Sequence, residues 1–172
     1  MTKVFNFSPG PSKLPQVVIN KVEKAVKEFK KTGKSVLEIS HRSPEFDELL
    51  NEINLNFEKL FHLPKDFNVL LLQGGATYQN TFVPMNIPKN LNLGCLVTGT
   101  WGRKTAEDYS KIFNNLDVFE PRDRELETYL DKEYSGFQNI DFLHLTSNET
   151  IEGLQIQNFN TINHKNLIID MS

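Results

Sequence analysis

This sequence of 172 residues contains few cysteines and has a small net charge. Cys95 is the single cysteine, which excludes an intramolecular disulfide and a metal cluster built on several cysteines. With 19 Lys and Arg against 22 Asp and Glu the net charge is -3, so no overall basic field favours nucleic acid or an anionic membrane. We expect a cytoplasmic protein that binds neither nucleic acid nor membrane.

Long apolar runs are missing as well. Polar and turn-forming residues interrupt the segment before Pro15, so a signal-peptide core cannot form there. No later run approaches the roughly eighteen apolar residues of a membrane span. Because both kinds of apolar run are missing, we expect a protein that is not exported and does not span a membrane. The remaining composition, 38% hydrophobic and 24% charged, is typical of one globular domain or a large piece of one.

The N-terminal part of the chain predicts an arm followed by a helix. The Pro9–Pro11 sequence, Pro-Gly-Pro, cannot be helical and predicts an extended, turning arm over residues 1–15. From Gln16 to Lys31 apolar residues recur at spacings of three and four, which predicts a helix with one buried face that ends by Gly33.

A second helix is predicted after Ser43, which suits an N-cap, and Pro44, which suits the first helical position. Its apolar residues form one stripe until Pro64 forbids continuation. The two helices together predict a helical segment over residues 16–63.

Beyond Pro64 short apolar segments alternate with mixed ones, which predicts strands and connecting helices. The predicted strands are Asn68–Gln73, Leu93–Thr98, Leu116–Phe119, Asp141–Leu145 and Leu167–Asp170. The predicted crossover helices are Ala76–Asn86 and Gly102–Phe113. Several strands are apolar without alternation, as in a parallel sheet whose two faces are covered by helices. The predicted fold class is α/β, with a mostly parallel sheet in a domain over residues 64–172.

The sequence stops at Ser172, directly after an apolar strand that ends in Asp170. Ligands of open parallel sheets bind at the carboxyl ends of the strands, so a natural end here would fall inside the expected binding crevice. We therefore expect this sequence to be part of a longer protein.

Two segments that follow predicted strands suit a ligand. The glycines of Gln73–Thr77 precede a predicted helix, where free backbone N–H groups could hold a phosphate, although a paired glycine also suits a simple tight turn. Trp101, the single tryptophan, follows the next strand and could stack on a planar ligand or pack in the core.

Two further side chains could face the same ligand. The carboxylate of Asp170 could keep a ring nitrogen protonated, as in pyridoxal-phosphate enzymes, or could cap a following turn. Thr150 could donate a hydrogen bond to such a ring, although its surroundings would also suit a polar turn.

His41 and Arg42, between the two predicted helices, could hold a carboxylate or phosphate, or form a solvated pair at a helix start. The other histidines have no metal-ligand spacing among themselves or with Cys95, so no metal site is predicted. These histidines are His62, His144 and His164.

Taken together, these stretches resemble the phosphoserine aminotransferase family, within the fold-type I superfamily of pyridoxal-phosphate enzymes. The residues that carry the resemblance occur in family order. They are Phe5–Pro11, Glu38–Ser43, Leu72–Thr77 with Val83–Asn86, Thr98–Trp101, Ser147–Gly153 and Asp170–Ser172.

The resemblance implies a role for each candidate residue. Ala76 and Thr77 would bind the cofactor phosphate, Trp101 would stack on the pyridine ring, and Thr150 would bond its phenolic oxygen. Asp170 would pair with the ring nitrogen, so Asp170 and Trp101 are the expected catalytic residues. The acidic side-chain group of the substrate would be bound by Arg42, with His41, across the interface of a homodimer.

The reaction implied by the resemblance is amino transfer between L-glutamate and 3-phosphohydroxypyruvate, which gives O-phospho-L-serine and 2-oxoglutarate in serine biosynthesis. Phosphohydroxythreonine, in pyridoxine biosynthesis, stays open as a second substrate. Another fold-type I aminotransferase, a cysteine desulfurase or a non-catalytic phosphate-binding module are the alternatives.

Two departures from the family pattern matter. In some members the residue near the arm that contacts the substrate glutamate is a serine, whereas position 9 here is Pro9, so the resemblance does not imply that contact. The family's Schiff-base lysine lies beyond the strand that ends in Asp170, so this sequence, which resembles the N-terminal half of the family, does not contain it. We expect residues 1–172 alone to be inactive.

Overall fold

A computed structural model describes most of the chain, namely residues 4–8, 10–121 and 134–172. Pro9 and residues 1–3 of the predicted arm lie outside the described residues. Among the described helices, none combines the length and the apolar character that a membrane crossing needs.

The chain divides into two units, residues 1–71 and residues 72–172, and each is described by itself. The first unit contains helix α1 (Gln16–Lys27), a 3-10 turn (Val36–Glu38) and helix α2 (Pro44–Phe61). The predicted domain boundary at residue 64 stays a prediction.

The two ends of helix α2 are set by residues that lie next to them in the sequence. The hydroxyl of Ser43 accepts the backbone N–H of Phe46 at 3.4 Å, and Pro44 occupies the first helical position. These features confirm the predicted start, because a side-chain acceptor satisfies one of the unpaired N–H groups of the first turn. At the other end His62 takes the left-handed conformation, with φ of 51°, before Pro64.

Helix α1 differs from its prediction in length and burial. It ends at Lys27 and not at Lys31, because Glu28 is extended and two following lysines have positive φ. The predicted burial of its apolar face is wrong, since no residue of the helix is buried and Val22 is 52% exposed. An apolar stripe shows which face prefers burial, but burial itself requires a surface that covers the stripe.

The second unit is built on a parallel sheet. In chain order its strands are β1 (Leu93–Leu96), β2 (Leu116–Phe119), β3 (Phe142–Thr146), β4 (Asn148–Glu149), β5 (Leu154–Gln155) and β6 (Leu167–Asp170). Four of them form one sheet in the order β2-β1-β3-β6, and all of its neighbours are parallel. The register pairs Thr146 with Asp170, so the carboxyl ends of β3 and β6 lie together. The remaining two strands, β4 and β5, form an antiparallel hairpin.

Two helices lie close to the predicted crossover helices, but only the second of them connects two described strands. Helix α3 (Gly75–Met85) precedes β1, and helix α4 (Thr100–Ser110) connects β1 to β2. Helix α4 packs on the sheet through one apolar cluster, whose buried members are Ile87, Leu93, Cys95, Val97, Ala106, Tyr109 and Phe113. Helix α3 packs on α4, where the hydroxyl of Thr105 donates to the side-chain oxygen of Asn80 at 3.3 Å.

The other face of the sheet has a second apolar cluster, whose strand members include Leu96, Leu143 and Leu145. The described residues that cover it lie in the segments 134–140 and 156–162, which contain a 3-10 turn and an isolated bridge between Tyr134 and Ile162. Within the described residues, helices therefore cover one face of the sheet and not both.

The predicted strand Asn68–Gln73 is not a strand in the described structure. Its leucines are largely exposed, with Leu70 at 74% and Leu72 at 59%. A strand forms only when a neighbour pairs with its backbone N–H and C=O groups, and this segment belongs to neither of the described sheets.

Candidate active site at the carboxyl edge of the sheet

A cavity of about 410 Å³ opens beside the carboxyl end of β6. It is lined by residues from helix α3, helix α4 and the two strands β3 and β6, including Ala76, Tyr109, His144 and Asp170. The fold thus places one predicted phosphate-binding residue, Ala76, and the predicted ring-nitrogen partner, Asp170, around one space.

The start of helix α3 requires glycine. Gly74 has φ of 91°, a conformation that side chains disfavour, and a Cβ there would lie 2.0 Å from Cδ2 of Tyr78. The helix that follows presents the N–H groups of its first turn, including those of Ala76 and Thr77, which have no partner within a helix. Such a terminus favours an anion.

Hydrogen bonds hold both the backbone and the side chain of Asp170. Its carbonyl oxygen accepts hydrogen bonds from the backbone N–H and the hydroxyl of Ser147, at 2.8 Å and 3.1 Å. Its carboxylate oxygen Oδ1 accepts the N–H of Ser172 at 2.9 Å. The side chain is half-buried and lines the cavity, where a carboxylate can face a cationic group.

Trp101 and Thr150 are in direct contact. The indole Nε1–H of Trp101 donates to the hydroxyl oxygen of Thr150 at 2.9 Å. The indole is 39% exposed, so it is not the core residue that was the alternative interpretation. Because the Thr150 oxygen acts as acceptor, its own O–H proton remains available to a ligand oxygen.

Two glutamates that the sequence analysis did not single out hold the start of helix α4. The carboxylate of Glu149 accepts the backbone N–H groups of Trp101 and Gly102 at 2.8 Å and 2.9 Å. Glu152 accepts the backbone N–H and the hydroxyl of Thr100 at 2.9 Å and 2.6 Å. The sequence could have indicated both glutamates, since they belong to the Ser147–Gly153 motif.

His144 is a third residue of this region that was not a candidate from the sequence, where it was noted only for its lack of metal-ligand spacing. It lies two residues before Thr146 on β3, so its side chain is on the face of the sheet that Thr146 shares with Asp170. It is 3% exposed, and its Nδ1 has no hydrogen-bond partner among the described residues. Burial lowers the pKa of His144 to about 4, so the ring is neutral at pH 7.

Lys104 does not serve the cavity. It lies on helix α4, and its ammonium is 3.9 Å from the carboxylate of Asp108 with about half of the side chain exposed. The residues that line the cavity include no lysine. In the part of the chain that the structure describes, no cluster of three or more His, Cys, Asp or Glu side chains could hold a metal ion.

The substrate-binding candidates belong to the first unit, whereas Ala76, Thr77, Trp101, Thr150 and Asp170 belong to the second. His41 and Arg42 lie in an exposed turn directly before helix α2. The turn is held by two hydrogen bonds to Ser40, whose hydroxyl accepts the N–H of Arg42 at 3.2 Å and whose carbonyl accepts that of Ser43 at 3.0 Å.

The sequence profile of the class-V aminotransferases matches residues 4–169, nearly the whole chain. The chain belongs to the class-V aminotransferase family. Among curated members, the phosphoserine aminotransferase of Alkalihalobacillus alcalophilus is 37% identical over 172 residues, which cover 99% of this chain and 48% of that protein. The chain spans about half the length of the curated relatives it matches.

Solved structures of phosphoserine aminotransferases are similar to this chain in fold. A phosphoserine aminotransferase studied for radiation damage of its Schiff base has a TM-score of 0.86 and 35% identity, over 100% of this chain and 48% of that one. A pyridoxal-phosphate-bound phosphoserine aminotransferase from Trichomonas vaginalis has a TM-score of 0.84 and 27% identity, over 99% and 48%. These likenesses confirm the predicted α/β fold with its parallel sheet.

Proposed function

We propose that the whole protein is a phosphoserine aminotransferase that uses pyridoxal phosphate. It would transfer the amino group of L-glutamate to 3-phosphohydroxypyruvate and release 2-oxoglutarate and O-phospho-L-serine. The likeness to phosphoserine aminotransferases in sequence and structure supports this proposal. The observation that carries it is the cavity at the carboxyl edge, which Ala76 and Asp170 line together.

The chemistry of the residues fits pyridoxal phosphate. The start of helix α3 and the hydroxyl of Thr77 suit the phosphate group, and the Asp170 carboxylate suits a protonated ring nitrogen. The hydroxyl of Thr150 suits the phenolic oxygen, and the exposed indole of Trp101 suits the flat ring. When bound, the cofactor supplies an electron sink for the chemistry of amino transfer.

The two substrates of the proposed reaction share a second anionic group, which calls for a cationic side chain in the site. Arg42 lies in an exposed turn with His41 beside it in sequence. A guanidinium can bind a carboxylate or a phosphate through two parallel hydrogen bonds, so we assign Arg42, with His41, to this group.

We further propose that the whole protein is a cytoplasmic homodimer whose Arg42 serves the site of the other subunit. The burial of the single cysteine, Cys95, is compatible with a reducing compartment. Light scattering on the purified full-length protein tests the dimer.

A second role, in pyridoxine biosynthesis, is tested by measuring turnover of phosphohydroxythreonine by the full-length protein.

The test of the proposed activity is turnover by the full-length protein with L-glutamate and 3-phosphohydroxypyruvate. We expect 2-oxoglutarate to form, and 3-phosphohydroxypyruvate to outcompete pyruvate and oxaloacetate as amino acceptor. Equal use of the other oxo acids would indicate a different fold-type I aminotransferase. Sulfide released from cysteine would indicate a desulfurase, and phosphate binding without turnover would indicate a non-catalytic module.

Residues 1–172 alone provide the matched control. The described cavity has no lysine in its lining, and a lysine amine is required for covalent attachment and proton transfer in this chemistry. We therefore expect this chain alone to form no 2-oxoglutarate above a control without protein. Formation that is lost in Lys104→Ala would instead identify Lys104 as the required amine.

A further inference from the structure

We infer that Glu149 is a positioning residue that fixes Trp101, so that the indole and the hydroxyl of Thr150 face a flat ligand as one preformed surface. The inference deepens the proposed function and rests on it for the identity of that ligand, pyridoxal phosphate.

The Glu149 carboxylate is built into the start of helix α4. The residue is 1% exposed, and its two oxygens accept different N–H groups, Oε2 from Trp101 at 2.8 Å and Oε1 from Gly102 at 2.9 Å. Neither N–H has a partner within the helix, because both belong to its first turn. Hydrogen bonds to a buried charge are short and strong, so the backbone at Trp101 is held in one place.

Two glycines leave the room that this carboxylate occupies. A Cβ at Gly99 would lie 2.6 Å from Cδ of Glu149, and one at Gly102 would lie 2.9 Å from its Oε1. Gly99 is extended, with φ of -163°, a conformation open to any residue. The side chain of Glu149, and not backbone strain, therefore excludes a larger residue at position 99.

The hairpin that carries Glu149 also carries Thr150, the next residue. Trp101 is thereby held at two points, since Glu149 binds its backbone and Thr150 accepts its indole N–H at 2.9 Å. Trp101 is nevertheless 39% exposed. A large aromatic ring that is both fixed and accessible has little rotamer freedom to lose when a flat ligand stacks on it.

Glu152 provides an internal comparison. It is on the same hairpin segment and also accepts hydrogen bonds from the start of helix α4, but it is exposed and accepts them from Thr100. Exposed bonds of this kind contribute little, because water competes for both partners. A role in capping the helix is thus shared by both glutamates, whereas the hydrogen bond from the backbone of Trp101 goes to Glu149.

The experiment uses the fluorescence of Trp101, the single tryptophan of the 172-residue chain, without ligand. In Glu149→Gln one acceptor oxygen becomes an N–H₂ donor opposite a backbone N–H. We expect a red shift of the Trp101 emission and faster quenching by acrylamide, with helix content by circular dichroism unchanged. Glu152→Gln should leave emission and quenching as in the unaltered chain.

A folded Glu149→Gln chain with unaltered Trp101 emission and quenching would overturn the inference, and so would an equal change in Glu152→Gln. If Glu149→Gln does not fold, Gly99→Ala decides instead, because the added methyl group displaces the carboxylate while its charge is kept. We expect Gly99→Ala to produce the same red shift, and an unaltered spectrum would again overturn the inference.

The ligand is tested separately with pyridoxal phosphate and the full-length protein. We expect Glu149→Gln to weaken its binding by about tenfold, the equivalent of one charged hydrogen bond, and Glu152→Gln to leave it unaltered. If the unaltered full-length protein does not bind pyridoxal phosphate, the proposed function fails. The ligand-free fluorescence of Trp101 still decides the role of Glu149.

Discussion

Ser147 and Asp170 are joined by two hydrogen bonds that end on the same atom, the carbonyl oxygen of Asp170. The backbone N–H of Ser147 donates at 2.8 Å and its hydroxyl at 3.1 Å. The end of β6 is therefore tied to the segment that leaves β3, and the carboxylate of Asp170 is carried by a backbone with a fixed position.

For the full-length protein we predict that Asp170→Asn lowers kcat by about 100-fold, the usual cost of removing one preorganised electrostatic partner. The amide keeps an acceptor for the N–H of Ser172 but has no charge to hold a ring nitrogen protonated. Asp170→Ala should abolish turnover. Steady-state kinetics and cofactor content are the measurements.

Asp141→Asn is the matched control for Asp170. Asp141 precedes β3 at the opposite edge of the sheet, where its Oδ2 accepts the N–H of Asn92 at 2.7 Å. We expect this variant to lose stability but to keep kcat. Near-normal turnover in Asp170→Asn would show that Asp170 does not have the assigned role.

For Arg42 we predict that Arg42→Ala raises the KM of both substrates by at least about tenfold and leaves the affinity for pyridoxal phosphate unchanged. Arg42→Lys should recover only part of the loss, because an ammonium keeps the charge but lacks the planar pair of donors. Substrate kinetics and cofactor titration separate the two effects. An equal loss of cofactor affinity would place Arg42 at the cofactor and not at the substrate.

We predict that the folded chain loses stability in acid because of His144. Burial lowers its pKa from 6.5 to about 4, so between these values the unfolded chain binds a proton that the folded chain does not. The free energy of unfolding should fall as the pH drops from 6.5 towards 4, by up to about 3 kcal/mol from this residue. Urea titrations across this range measure it.

His144→Phe tests the assignment of this pH dependence. A phenyl ring keeps the edge-to-face contact with Tyr109, whose ring centroid lies 5.2 Å away, and has no proton to bind. The variant should show a flatter dependence of stability on pH over the same range. An unchanged slope would assign the acid sensitivity to other groups.

Cys95 is predicted to be chemically inert in the folded chain. It is 1% exposed, and burial raises the pKa of its thiol to about 12, so almost none of it is thiolate at pH 8. A disulfide reagent should modify about one thiol per chain in urea and almost none in buffer. Rapid modification of the folded chain would contradict the described packing of β1.

The sequence could predict the elements whose signals are local. Helices α3 and α4 and strands β2 and β6 lie where apolar periodicity and the surrounding glycines indicate, because steric restriction at glycine and proline acts within a few residues. The same holds for the start of α2 at Ser43. The order of the family motifs along the chain likewise indicates Ala76, Trp101, Thr150 and Asp170 as candidate site residues.

The tertiary structure alone decided which of these patterns became buried or paired. The apolar segment Asn68–Gln73 belongs to neither of the described sheets, and helix α1 contains no buried residue, although both patterns predicted otherwise. The role of Glu149 and the environment of His144 come from residues that are distant in sequence, Trp101 and Tyr109. A residue's own neighbours along the chain determine its preferred backbone conformation, but its burial and its electrostatic environment are set by residues that only the fold brings near.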